Sequence, residues 1–191
     1  MMINIESLKK YIGTITEEEF TKLANNIYMI TNFNCEDYTK YKNWYFTKQL
    51  PDTISRDDRN ILFVRNPQNK DEIISMTCLK RNDKEQKICT LYVLDKYRNM
   101  GIGTKMIEES IKWLGTTKPF ITLTDYKLEM FKPFIIKYNW ELTEIVSNLY
   151  NNKTKEFCFN GTLTNSKKEP IERQLHNKLI KVLKNRANQI K

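Results

Sequence analysis

The apolar positions of this chain fall into two rhythms, one helical and one alternating. Phe20, Leu23, Ala24, Ile27 and Tyr28 recur at helical spacing. They follow Thr16-Glu17-Glu18-Glu19, which fits a capping box: Thr16 as N-cap, Glu19 reaching back. This predicts a helix to about Ile30. A second helix is expected over Glu36 to Leu50, closed by Pro51 and the charged loop Ser55 to Asn60. Ile61–Val64 reads as a strand, ended by Asn66-Pro67-Gln68-Asn69. Glu72–Leu79 is the next strand, and Lys87–Val93 returns antiparallel after the polar turn Arg81–Glu85. Thr104 to Leu114 is an amphipathic helix. The strand Pro119–Thr124 is expected to lie parallel to 87–93 through a right-handed crossover. Lys127 to Tyr138 is helical, with Pro133 predicting a kink or a late start and Asn139 suited to a left-handed cap. Glu141–Leu149 and Lys155–Leu163 form a final hairpin around Asn151-Asn152. Residues 2–14 read either as a short strand or as a helical face, and no internal repeat is found.

The C-terminus has a different character. Residues 164–169 read as a linker, and 170–190 as a helix with Ile171, Leu175, Leu179, Val182 and Leu183 on one face. The net charge is +9, and residues 166–191 hold eight basic side chains against Glu169 and Glu172. Most of the excess therefore sits in this appendage. The expected division is a globular domain over 1–163 and a basic linker and helix over 164–191. The basic helix can present a solvated lysine-rich face, dock on the domain or on a second subunit as a homodimer, or follow a nucleic-acid backbone by charge. Of these the solvated face is the plainest, and a nucleic-acid partner is not favoured.

Composition narrows the chemistry. At 191 residues with 40% hydrophobic and 29% charged content, the chain suits one soluble globular domain. Cys35, Cys78, Cys89 and Cys158 form no metal spacing, and His176 is the single histidine. A zinc site or a histidine-based triad is not expected, and no metal is called for. No apolar run reaches 18 residues and no leader pattern opens the chain. With thiols read as reduced, a cytoplasmic protein with no membrane partner is expected.

One segment carries a specific chemistry. Arg98-Asn99-Met100-Gly101-Ile102-Gly103 follows the apolar strand Ile88–Leu94 and opens the 104–114 helix. Glycines allow close backbone approach, and a helix start offers free N–H groups and a favourable dipole to an anion. Arg98 adds a charge-assisted donor. A dinucleotide fingerprint needs a third glycine, but position 106 is Met. A P-loop needs Gly-Lys-Ser/Thr, but Gly103 is followed by Thr104 and Lys105. The pattern Arg-x-x-Gly-x-Gly after a strand instead resembles the pyrophosphate loop of the GNAT superfamily of N-acetyltransferases. The resemblance runs from about residue 60 to residue 162, in the matching order of elements.

The resemblance implies a mixed α/β fold: a central, mostly antiparallel sheet with one parallel, splayed strand pair, flanked by helices. It implies acetyl-CoA as cosubstrate. Leu91, Tyr92 and Val93 would bind the pantetheine arm as an added strand, with a backbone N–H polarising the thioester carbonyl. Arg98, Asn99, Met100, Gly101, Ile102, Gly103 and Thr104 would hold the pyrophosphate. An acceptor amine, on a small molecule or a protein, would attack the thioester directly. The chain also departs from the family. Its closing Gly-Phe appears as Asn139-Trp140, the usual thiol-protonating Tyr is replaced by Ile135, and a cofactor-touching Asn by Leu128. Tyr138 and Tyr126 remain as candidate proton donors, with Glu129 and Asp125 as candidate bases, each also readable as an ordinary surface side chain. Tyr38, Tyr41, Trp44, Tyr45 and Phe46 could cage an amine, though core packing explains their spacing. If Lys80 faces Lys87, the same register sets Cys78 opposite Cys89. Two other readings stay open: an acyl-CoA-binding module without efficient catalysis, and an acetyltransferase reaching an RNA- or ribosome-associated amine through residues 166–191.

Overall fold

A computed structural model describes residues 3–32, 40–147 and 154–163 of the chain. It divides into two compact units, the first ending at Thr116 and the second beginning at Thr117. The basic tail 164–191, with its expected helix, and the Asn151-Asn152 turn lie outside the described residues.

The first unit opens with β1 (Ile5–Ser7) and a 3-10 turn over Leu8–Tyr11, so both readings of the N-terminus hold in sequence. Helix α1 (Glu17–Asn32) starts at the expected capping box. The Thr16 backbone N–H donates to Glu19 Oε2 at 2.9 Å, and the Glu19 N–H donates to Thr16 Oγ1 at 3.2 Å. The second helical stretch runs past its expected end at Leu50. It comprises α2 (Tyr41–Trp44), a π-helical turn over Tyr45–Gln49, and α3 (Leu50–Ser55). Pro51 therefore does not end the helix. It sits in the first turn of α3, directly after a π turn in which the Leu50 N–H reaches back to the Tyr45 carbonyl. A proline is tolerated where the regular i→i−4 ladder is already interrupted.

Strands β2 (Arg59–Asn66), β3 (Asn69–Asn82) and β4 (Glu85–Val93) follow, and the sheet order is β1-β2-β3-β4. Leu23, Ala24 and Ile27 of α1 and Tyr45 pack with Ile61, Phe63, Met76 and Cys78 into the core of this unit. Tyr28, Tyr41, Trp44, Tyr45 and Phe46 pack ring on ring, with Tyr28 and Phe46 centroids 4.9 Å apart. These rings thus belong to the packed cluster. Helix α4 (Ile102–Leu114) packs against β3 and β4 and ends at Gly115 in the left-handed region.

The β3–β4 hairpin has the expected register at Lys80↔Lys87 and Leu79↔Ile88, but then shifts to Cys78↔Thr90. Cys89 is the extra residue of a β-bulge, so it does not face Cys78. The register at the turn cannot reveal a bulge farther along, because the inserted residue shifts the pairing by one only beyond it.

The second unit holds β5 (Ile121–Thr124), α5 (Leu128–Lys137), β6 (Leu142–Ser147) and β7 (Lys155–Phe159), with sheet order β5-β7-β6. Helix α5 runs through Pro133 and closes in a Schellman motif: the Trp140 N–H donates to the Ile135 carbonyl and the Asn139 N–H to that of Ile136. Asn139 has φ of 50°, as expected of the left-handed cap. Trp140 is fully buried, and its indole N–H donates to the Thr117 carbonyl at 2.9 Å. Gly161 is required by space, since a Cβ there would stand 2.8 Å from the Phe120 ring.

The fold is mixed α/β with antiparallel sheets and flanking helices. Every strand pair among the described residues is antiparallel. The parallel pairing of β4 with β5 implied by the resemblance is not among them: β4 pairs with β3, and β5 with β7.

Candidate active site

The cofactor residues named from the sequence come together in the first unit, on three consecutive pieces of backbone. The first is the end of β4. The Leu94 N–H donates to the Ile74 carbonyl, and the Tyr92 and Thr90 carbonyls accept from Ser75 Oγ (2.8 Å) and Thr77 Oγ1 (2.7 Å) on β3. Even-numbered residues therefore turn their backbone groups toward β3. By antiparallel alternation, the N–H and carbonyl groups of Leu91 and Val93 turn to the opposite edge. No second strand pairs with that edge of β4 among the described residues. It is suited to an extended ligand arm that takes the place of a strand.

The second piece is the turn 94–101. Asp95–Tyr97 forms one 3-10 turn, and Asn99 and Gly101 then adopt left-handed φ values of 62° and 79°. Gly101 is the N-cap of α4; its positive φ is cheap only for glycine. Met100, between them, is half exposed.

The third piece is the start of α4. The first helical bond runs from the Lys105 N–H to the Gly101 carbonyl at 3.1 Å, so the N–H groups of Ile102, Gly103 and Thr104 precede the ladder. No side chain caps them and no acidic residue lies in the first turn. At Gly103 an added Cβ would meet nothing nearer than Val93 Cγ2 at 3.9 Å, so the space above this turn is open. Uncapped donors, a helix dipole and open space fit the diphosphate of a coenzyme.

Charge at the turn is more balanced than the sequence implies. Arg98 Nη2 pairs with Asp95 Oδ1 at 2.7 Å, its Nε donates to the Val93 carbonyl at 3.3 Å, and its guanidinium lies 5.9 Å from the Tyr92 ring centroid. Lys96 Nζ pairs with Glu72 Oε1 at 2.6 Å. Both cationic side chains of the turn are thus engaged within the protein, with Arg98 folded over the end of β4.

The candidate proton donors lie in the second unit. Tyr126, in the turn after β5, is 55% exposed, with Lys127 Nζ 5.4 Å from its ring centroid. Tyr138 is half-buried at the end of α5, its ring stacked on Trp140 at 6.4 Å. Ile135 and Leu128, at the positions where the resemblance implies polar residues, are both core residues. Asp125 receives the Tyr126 N–H at 2.9 Å, and Glu129 pairs with Lys132. Among the described residues no group of His, Cys, Asp and Glu is placed to hold a metal.

A profile of the acetyltransferase (GNAT) family matches residues 20–124, more than half of the chain, from α1 through β5. The chain belongs to this family. Solved structures of the same fold include Arabidopsis thaliana Naa50 in complex with the bisubstrate analogue CoA-Ac-MVNAL (13% identity, 83% of this chain and 97% of that one, TM-score 0.56). Arabidopsis thaliana NAA60 in complex with acetyl-CoA is similar (13% identity, 83% and 97%, TM-score 0.57). Against a nourseothricin acetyltransferase the match is looser (9% identity, 53% of this chain, TM-score 0.47), and the chain spans 64% of that protein's length. No match was found among curated protein sequences. Among the described residues no helix is long and apolar enough to cross a membrane.

Sequence reasoning missed the groups that anchor the turn from outside it. Glu72, Asn66 and Tyr97 form a hydrogen-bonded set across 31 residues of sequence, and Ser75 and Thr77 take carbonyls of β4. Their only sequence signal is polar residues within otherwise apolar strands.

Proposed function

We propose that this GNAT protein transfers the acetyl group of acetyl-CoA to a primary amine by direct attack on the thioester. The observation that carries the reading is the uncapped start of α4, set behind two left-handed residues and continuous with the open edge of β4. Acetyl-CoA would supply an activated acyl carbonyl and a thiolate leaving group. The N–H groups of Ile102, Gly103 and Thr104 would bind the diphosphate. The outward N–H groups of Leu91 and Val93 would align the pantetheine arm, and one of them would polarise the acyl carbonyl as charge develops on its oxygen. The amine arrives neutral and forms the C–N bond as the C–S bond breaks. Its proton leaves to a base or to water, and the thiolate takes one from a phenol or water. Tyr138 and Tyr126 are the proposed phenols, and holding both reactants together would supply much of the rate.

An amine acceptor is supported by the CoA–peptide analogue in the Naa50 structure. The proposed catalytic domain is 1–163, with 164–191 as its basic appendage. A second reading, acyl-CoA binding without efficient turnover, draws support from the complete burial of Ile135, where the family's proton donor would stand.

Isothermal titration of acetyl-CoA into wild type and Gly103→Asp tests the cofactor. Binding in wild type that is lost in the variant is expected. Equal binding in both, or none in either, overturns the assignment. Turnover against an amine panel, abolished in Tyr138→Phe or Tyr126→Phe, separates the enzyme from the binding module.

A further inference from the structure

The turn that leads into the phosphate-binding segment is tied to the sheet by one carboxylate outside it. Glu72, near the start of β3, receives three donors. Lys96 Nζ lies 2.6 Å from Oε1; Asn66 Nδ2 and the Tyr97 hydroxyl lie 2.6 and 3.1 Å from Oε2. Asn66 Nδ2 also lies 3.0 Å from the Tyr97 hydroxyl, which closes the set. Lys96 further places its ammonium 5.0 Å from the Tyr97 ring centroid. The hydrogen bond from Lys96, foremost, holds the Glu72 carboxyl below the ordinary glutamate range, so it is the ionised acceptor that makes these contacts.

We propose that Glu72 is a positioning residue for cofactor binding, acting through Tyr97 to fix the turn from which Arg98 and the α4 N–H groups project. This rests on the acetyl-CoA reading above. The physical argument concerns leverage. The turn has only two backbone hydrogen bonds of its own, Tyr97 N–H to Leu94 carbonyl and Arg98 N–H to Asp95 carbonyl. The residues after it, Asn99 to Gly101, include two left-handed positions. Without an outside anchor, small rotations in 95–97 would swing the donors of 102–104 away from the diphosphate. Glu72 reaches the turn from the β2–β3 hairpin, which is itself held by a long antiparallel ladder.

The sign of the effect separates positioning from charge. If Glu72 only neutralised Lys96, then Glu72→Gln would free a cation and tighten binding of an anionic coenzyme. If it positions the turn, the same variant weakens binding. Lys96→Met discriminates further, because Asn66 and Tyr97 still engage Oε2 in that variant.

The test is calorimetric titration of acetyl-CoA into wild type, Glu72→Gln and Lys96→Met, with hydrogen exchange of peptides over 95–105 and thermal unfolding of the free proteins. The expected result is an affinity about tenfold weaker in Glu72→Gln, the scale of one charge-assisted contact. Exchange should rise across 99–104 and stay unchanged in β6 and β7, while Lys96→Met stays within about twofold of wild type. Unchanged or tighter binding in Glu72→Gln overturns the proposal. So does weaker binding with exchange raised throughout the first unit, which marks a loss of global stability. If wild type itself binds no acetyl-CoA, the functional reading falls, and this inference with it.

Discussion

Gly103→Ala should raise the stability of the protein and lower its affinity for acetyl-CoA, two effects of opposite sign from one methyl group. Gly103 lies in the first turn of α4, and it is not among the glycines of positive φ. The added Cβ would meet only Val93 Cγ2, at an ordinary contact distance of 3.9 Å. The free protein therefore accepts alanine without strain. Replacing glycine in a helix lowers the entropy of the unfolded chain and gains about 0.4–1 kcal/mol. For a protein of this size that corresponds to a rise of about 2–4 °C per kcal/mol in Tm. The same methyl enters the open space above the uncapped N–H groups. Displacing a phosphate oxygen from one of these donors forfeits a charge-assisted hydrogen bond of about 1.5–3 kcal/mol. The affinity should then fall by roughly one to two orders of magnitude. Gly103→Asp should be worse, because a carboxylate about 4 Å from a phosphate adds repulsion on the order of 4 kcal/mol at an effective dielectric near 20. Thermal unfolding of the free protein and calorimetry with acetyl-CoA measure the two effects separately. An alanine variant that is more stable yet binds acetyl-CoA as wild type does would refute the placement of the diphosphate at this helix start.

Three further outcomes follow from the same geometry. Asp95→Asn should release Arg98 from its 2.7 Å ion pair and remove a negative charge beside the site, so acetyl-CoA should bind a fewfold more tightly at low salt, with the gain shrinking as salt rises. Titrations at two ionic strengths check this. Gly161→Ala should destabilise the second unit by about 1–3 kcal/mol, because its Cβ would stand 2.8 Å from the Phe120 ring; hydrogen exchange of peptides from β5 to β7 under rising urea reads the loss. Glu72 has a lowered folded-state pKa, so its contribution is present above the ordinary glutamate value of about 4.3 and is lost as pH falls through the lower folded-state value. The acid limb of the stability profile of Glu72→Gln should accordingly be shallower than that of wild type.

The element order, the capping box at Thr16 and Glu19, the left-handed cap at Asn139 and the glycine turn 98–103 could all be read from the chain, because each is set by residues within a few positions of one another. Local steric and hydrogen-bonding rules suffice there. The end of the second helix could not. Pro51 signals a stop, yet the backbone had already changed to a π turn at Tyr45–Gln49, where Tyr45 and Gln49 are buried. Tertiary packing overrode a local signal. The Cys78–Cys89 pairing failed for a related reason, since a bulge is decided by how β4 meets β3 and not by either strand alone.

The cofactor segment divides in the same way. Its sequence determined that a strand, a glycine turn and a helix start follow one another, and hence that uncapped N–H groups stand at the end of that turn. Only the tertiary structure decided that Arg98 is folded onto Asp95 and the Val93 carbonyl, and that Lys96 and Tyr97 are held by Glu72 from another hairpin. It also decided that β4 keeps an edge without a strand partner among the described residues. Backbone conformation over a few residues is governed by nearby sterics and is written locally. The partners of a side chain or a strand edge are chosen by segments distant in sequence, which approach only when the core has formed.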